Sequence, residues 1–303
     1  MNLPTGDMIG AILALLGAFV VAIQSVLVRK STVSSSVKKL IGTVLVVNFL
    51  FWTPLSLVLY YPSVNINLIG FAAFLLSGIS GFFLGYILIF ISIKRIGASK
   101  THPLVKTQVI VALVLSVVFL AELLTVYHLF GVILLLIGTI LVSTEISGDN
   151  DEIGSRAGGK LLDLSIPFIG GFFWGLNWIF TRVGLMQGTP VILGLAVSSG
   201  GGLAAFIIYE GVTEKNLESI KIISPDFKRF FVIGLVCAMA FLLNFTALSV
   251  ARIVVVNPIW HVSPMFVLIL SYFYLPKLEI ISMKLVLGSL LIVLGTICVI
   301  LFM

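Results

Sequence analysis

Charge is what this sequence has least of. Only 10% of its 303 residues are Asp, Glu, Lys or Arg, while 60% are hydrophobic. A soluble fold of this length cannot hide that much apolar surface, so the chain is an integral membrane protein. Acid is scarcer than base, 12 residues against 18. None of the acids lies inside an apolar run: Asp7, Glu122, Glu145, Asp149, Asp151, Glu152, Asp163, Glu210, Glu214, Glu218, Asp226 and Glu279 sit at run ends or in loops. That argues against a relay of intramembrane carboxylates, but leaves proton coupling through a histidine open. The two cysteines, Cys237 and Cys298, are far apart inside apolar runs and read as packing residues. The three histidines lack metal-ligand spacing, so neither metal nor cofactor is expected. There is no GxSxG elbow, HExxH helix, Walker loop or pair of acids, and no enzymatic activity is expected. The basic residues are scattered over short loops, without the dense patch that nucleic-acid binding requires.

What is present is long apolar runs. They fall at about 8–28, 40–60, 67–93, 101–121, 125–144, 164–186, 190–209, 229–250, 254–275 and 281–303. They are continuous and do not alternate, which predicts ten transmembrane helices and excludes a barrel. The first run has no basic n-region or small-residue cleavage site and reads as a retained helix. Two loops are longer. EISGDNDEIGSRAGGK (145–160) is acidic, glycine-rich and central, and reads as a linker; EGVTEKNLESIKIISPDFKR (210–229) reads as an amphipathic surface segment.

A linker midway along ten helices points to a duplication, and the halves do match. GVILLLIGTILV (131–142) and GSLLIVLGTICV (288–299) share six of twelve positions. GAFVVAIQSVLVR (17–29) aligns with GGFFWGLNWIFTR (170–182), pairing Gln24 with Asn177 and Arg29 with Arg182. THPLVKTQV (101–109) aligns with NPIWHVSPM (257–265), pairing Pro103 with Pro258 and Lys106 with His261. Five helices is an odd number, so consecutive repeats must be inverted with respect to one another. The expected architecture is all-α: a first five-helix repeat over 1–144, a linker over 145–163 and a second repeat over 164–303. Inverted repeats place a solute site near the bilayer midplane, between the halves, and permit alternating access.

Several blocks carry a resemblance to a known family: SIKRIGASKTHPLV and FLAELLTVYHLFGVILLLIGTILV, with their second-half counterparts ALSVARIVVVNPIWHVSP and LPKLEIISMKLVLGSLLIVLGTICVIL. They are similar to the drug/metabolite transporter superfamily in its EamA-type branch, and the likeness covers nearly the whole chain. The resemblance implies a multi-pass transporter of the cell (plasma) membrane that moves amino acids, drugs, nucleotide sugars or other metabolites. The expected partners are a small-molecule substrate and the lipid bilayer, with no nucleic acid, and the protein is expected as a monomer or homodimer. An intramembrane enzyme acting on a lipid-soluble substrate is the rival class.

Candidate substrate contacts are the polar and aromatic groups set in aliphatic runs. Lys106 lies inside the fourth span, at the place His261 occupies in the ninth. A cation at such depth is costly unless it snorkels to the headgroups or meets a ligand. The stretch VNPIWHVSPMF (256–266) holds two helix-breaking prolines. Asn257, Trp260, His261 and Pro264 share one stripe at helical spacing. Cavity lining is one reading of that stripe; a capped helix start with an interfacial Trp260 is the other. On the sixth helix Trp174, Asn177 and Trp178 share a face fit for stacking on a flat ligand. Gln24, Tyr86 and Asn244 are isolated polar groups that serve either the site or helix–helix contacts. GFFLG (81–85) and GFFWG (171–175) read as close-packing motifs, and His102 reads as a span-end residue. With basic groups and amides but no acid, the site suits neutral, zwitterionic or anionic solutes.

Fifteen of the Lys and Arg residues follow odd-numbered spans, against Arg182 and Arg252 on the other side. The positive-inside rule then puts both termini outside, whereas the family resemblance implies cytoplasmic termini.

Overall fold

A computed structural model describes residues 5–33, 35–62, 66–106, 108, 126–149, 157–213, 226–251, 256, 259–276, 278 and 280–301. Among them the regular structure is helical throughout. In chain order the helices are α1 (Thr5–Thr32), α2 (Val37–Tyr60), α3 (Leu68–Ile96), α4 (Ala98–Val105), α5 (Val126–Asp149), α6 (Ala157–Met186), α7 (Val191–Thr213), α8 (Phe227–Val250), α9 (Ser263–Tyr274) and α10 (Met283–Leu301). Six of them are long and apolar enough to cross a bilayer: α1, α2, α3, α6, α7 and α8. Shorter apolar stretches lie at Phe130–Val142, Ser263–Tyr274 and Met283–Gly295. Large apolar side chains such as Leu57, Val58, Leu68, Ile133 and Ile140 are exposed on the outer faces. No soluble protein leaves so broad an apolar surface to water, and the chain is a multi-pass membrane protein.

The helix ends follow local chemistry. Asp7 in the first turn of α1 and Arg29 and Lys30 in its last complement the helix dipole. Asn67 caps α3 by accepting from Gly70 N at 2.6 Å. Gly97 separates α3 from α4 by a single residue at φ +89°, a conformation open mainly to glycine. The helices also run on past the expected spans. α5 continues to Asp149 and α6 begins at Ala157, so both reach into the expected linker. The centre of that linker (150–156) and most of the expected surface segment (214–225) lie outside the described residues, as do 109–125 of the fourth and fifth runs.

Three of the expected spans are not regular helices. Within α3, Gly78–Gly85 forms a π-helix, so the GFFLG motif belongs to a widened turn. The ninth run is not one continuous helix. Residues 261 and 262 form a turn, with Val262 N donating to Ile259 O at 3.2 Å, and α9 restarts at Ser263 with Pro264 in its first turn. The fourth run behaves alike: α4 ends at Val105, and Lys106 N donates to Pro103 O at 3.1 Å. Bonds from residue i to i−3 tighten the backbone at both places.

Packing pairs helices between the halves of the chain. α1 lies on α8 and α3 on α6; α2 lies on α7 and α5 on α10. The α5–α10 approach depends on missing side chains. A Cβ on Gly138 would stand 2.6 Å from Gly288 O, and one on Gly288 would stand 2.9 Å from Gly138 O. The largest buried cluster joins α1–α4 with α7 and α8 around Phe74, Phe82, Phe90, Phe206 and Phe241. A second joins Leu104, Leu135, Leu268, Leu285 and Ile292. A third holds Trp178, Leu248 and Trp260.

Candidate functional site

Among the described residues a cavity lies where α1, α3, α4, α6, α8 and the segment before α9 converge. It holds about 50 Å³, room for a few waters. Eight of the ten candidate residues line it: Gln24, Tyr86, Lys106, Trp174, Asn177, Trp178, Asn244 and Trp260. They come from six separate stretches of sequence. His261 does not line the cavity, although it is only 1% exposed. The turn at 261–262 interrupts the helix, so the stripe expected to align Trp260 with His261 is broken between them. The His261 ring instead meets Gln108. Asn257 lies outside the described residues.

An aromatic wall forms one side. Tyr86 stands 5.2 Å from Trp174 and 5.5 Å from Phe241, and Trp174 stands 5.9 Å from Phe241, centroid to centroid. Phe90 extends the wall from the next turn of α3, 5.0 Å from Tyr86. Trp178 and Trp260 meet edge to face at 6.1 Å on another side. Trp260 lies against α1 at Gly17, where any Cβ would collide with the indole.

The polar side is built on α4, every described residue of which is buried. Lys106, just beyond its end, is only 4% exposed, so its methylenes do not carry the ammonium out to the surface. No carboxylate among the described residues pairs with it. His102, one turn earlier, also lines the cavity and lies within 2.5 Å of Ser25 Oγ. The Ser25 hydroxyl donates its single proton to Val21 O at 2.7 Å, so His102 donates through Nε2–H. The expectation that His102 is a mere span-end residue fails because α4 begins at Ala98, one turn before it, inside the bundle. Its spacing of four from Lys106 was the available signal. Ser25, Phe90 and Phe241 were missed as well, and nothing marks Phe241 out among 23 phenylalanines.

Asn177 has a second task. Its Nδ2 donates to Ser77 O at 2.9 Å and to Ser77 Oγ at 2.8 Å, which ties α6 to the start of the π segment. Thr181, one turn on, meets Ser77 Oγ at 2.9 Å. Gly81 leaves the room: a Cβ there would stand 2.5 Å from Asn177 Cγ. GFFWG serves likewise. A Cβ at Gly171 would stand 2.8 Å from Val105 O, and Gly171 and Gly175 both flank Gln108, so this motif seats the break in the fourth run. Among the described residues no group of three or more His, Cys, Asp or Glu could hold a metal.

A family model described as the EamA-like transporter family matches residues 8–144 and again residues 163–301. No curated protein matches the chain. Among solved structures, one titled "Crystal structure of protein" aligns with a TM-score of 0.62 at 14% identity, covering 97% of this chain and 96% of its own. That likeness is one of fold.

Proposed function

Because the chain belongs to the EamA-like transporter family, we propose that it is a secondary transporter of the cell membrane that moves small neutral, zwitterionic or anionic metabolites, amino acid-like in size, by alternating access. The solute contacts are Lys106, Gln24, Tyr86, Trp174, Asn177, Trp178, Asn244 and Trp260, which surround the central cavity. Lys106 carries the reading: a buried ammonium with no described counter-charge, beside an aromatic wall. Burying a cation without a partner is costly, and an anionic group on a solute supplies the partner. The aromatic faces suit a flat or apolar remainder. Cationic drugs lack a carboxylate to meet here.

Ten spans in two inverted five-helix repeats, divided at 145–163, account for the pairing of helices. Exchanging the halves maps α1 on α8 onto α6 on α3, and maps α2–α7 and α5–α10 onto themselves. Two pairs of residues follow the same exchange. Arg29 at the end of α1 donates to Ile93 O at 3.0 Å near the end of α3; Arg182 at the end of α6 donates to Leu248 O at 3.2 Å near the end of α8. The breaks at Lys106 and His261 occupy matching places in the two halves. Discontinuous helices at a repeat interface are where such transporters bind their cargo. A cavity of 50 Å³ is smaller than the roughly 300 Å³ or more of a typical small-molecule pocket, so cargo enters only as the halves move apart.

The test is a counterflow screen in proteoliposomes with labelled alanine, uracil and glucose 6-phosphate. At least one compound is expected to exchange saturably, and Lys106→Met to slow that exchange about tenfold or more while the protein stays folded and inserted. Unchanged exchange in Lys106→Met, or tight saturable uptake of tetraethylammonium, overturns the reading.

A further inference from the structure

The breaks in the fourth and ninth runs meet. Gln108, two residues beyond the turn at Lys106, touches His261, in the turn before α9: their Nε2 atoms are 3.2 Å apart. Gln108 is 4% exposed and His261 1%. An amide nitrogen only donates, so the imidazole accepts at Nε2 and is neutral, with its proton on Nδ1. The other end of the amide is unused: Gln108 Oε1 is buried and no donor among the described residues reaches it. A buried acceptor left idle costs about 1–3 kcal/mol, which calls for a second state in which it is used.

We propose that Gln108 and His261 form a proton-binding site that couples solute movement to a proton gradient; this rests on the transport reading above. The step is a simple protonation. One proton from the aqueous phase adds to the lone pair of His261 Nε2, and the ring becomes a cation that donates where it had accepted. A half-turn of the Gln108 side-chain amide then presents Oε1 to Nε2–H. The idle acceptor is taken up, and the amide nitrogen gives up the ring. On release to the opposite phase the amide turns back. The same two side chains therefore hold both protonation states without moving the backbone, which an aliphatic pair cannot do.

The site lies where such a switch can act. Gln108 belongs to the first family match and His261 to the second, so the bond joins the two matched segments. Gln108 is seated against Gly171 and Gly175 of α6, and Trp260, next to His261, lines the cavity. Of the helices packed on α9, α1 carries its charges only at its ends (Asp7, Arg29 and Lys30) and α10 carries Lys284 at its start. The fourth helix brings Lys100, His102 and then Lys106. All three are potential cations, so a proton on His261 adds positive charge beside a site that lacks an acid. An anion on Lys106 offsets it, and by reciprocity the protonated ring favours the anion. Proton and anion therefore travel in the same direction.

Two measurements test this. In the proteoliposomes above, solute counterflow without a pH gradient is compared with accumulation under an inward proton gradient of one unit. For one proton per solute, that gradient supports up to about tenfold accumulation. Wild type is expected to do both; His261→Gln and Gln108→Leu are expected to keep counterflow and lose accumulation. Counterflow in wild type with no response to the gradient, or undiminished accumulation in both variants, overturns the proposal. Separately, the 15N-histidine-labelled protein in nanodiscs is followed by NMR from about pH 5 to 8. The His261 ring is expected to titrate reversibly in wild type, and the transition to leave that window in Gln108→Leu. A ring that stays neutral throughout overturns the proposal, whether or not a transported solute has been found. Absence of counterflow for every compound, with His261 titrating, counts against the transport reading and leaves the proton site standing.

Discussion

Asn177→Ala is the substitution whose cost is worked most directly from the structure. The Asn177 amide donates to Ser77 O at 2.9 Å and to Ser77 Oγ at 2.8 Å, with the residue 5% exposed. Side-chain hydrogen bonds between membrane helices average about 0.6 kcal/mol and reach about 1.7 kcal/mol. The serine hydroxyl keeps a partner in Thr181 after the truncation, so its loss falls at the low end. Ser77 O is different. It lies at the start of the π segment, where the backbone ladder is widened, and without Asn177 its remaining side-chain donor is Ser80 Oγ at 3.3 Å, a hydroxyl that already donates to Leu76 O at 2.8 Å; a buried carbonyl left so poorly served costs about 1–3 kcal/mol. The total is about 2–4 kcal/mol. Gly81→Ala attacks the same contact from the other side, because its Cβ would stand 2.5 Å from Asn177 Cγ and 2.7 Å from Asn177 Cβ. Overpacking of this kind costs about 1–3 kcal/mol. Truncating Asn177 removes the nearer atom and leaves the farther. Gly81→Ala should therefore cost clearly less in the Asn177→Ala background than in wild type, without becoming neutral. Reversible unfolding in mixed SDS–detergent micelles, followed by tryptophan fluorescence, measures all four proteins. A cost below about 0.5 kcal/mol for Asn177→Ala would refute the reasoning, since that is less than one average bond. So would equal costs of Gly81→Ala in both backgrounds.

Two further outcomes are expected. Gly288→Leu should push α10 off α5, because even a Cβ would stand 2.9 Å from Gly138 O; a loss of about 1–3 kcal/mol is expected in the same assay, with Leu287→Ala on the exposed face as a control that changes little. Arg29→Gln and Arg182→Gln each remove a guanidinium from a carbonyl near a helix end, Ile93 O and Leu248 O; hydrogen exchange should rise about fivefold to tenfold in the last turns of α3 and α8 respectively, for about 1 kcal/mol lost at each, and little elsewhere.

The membrane class and the helical fold were legible in the sequence, because apolar runs of about 20 residues have no other stable arrangement in lipid. The candidate contacts were legible for a related reason. In runs of Leu, Ile and Val a tryptophan, an amide or a lysine is conspicuous, so Lys106, Trp174 and Tyr86 could be picked out singly. Composition cannot say how such residues face one another. The π turn at Gly78–Gly85 is invisible in a string that reads as an ordinary apolar helix, yet Tyr86 follows immediately after it. His102 looked peripheral until α4 proved to start inside the bundle, and Phe241 was one phenylalanine among many. His261 shows the limit most sharply. Its type and its pairing with Lys106 were evident from the aligned prolines, but the turn at 261–262 directs the ring to Gln108 and away from the cavity. Sequence alone therefore determined the solvent this protein lives in and the residues too polar to be there without a reason. Tertiary structure decided which of them meet, because a break of one turn redirects a side chain, and hydrophobic pattern carries no record of where a helix breaks.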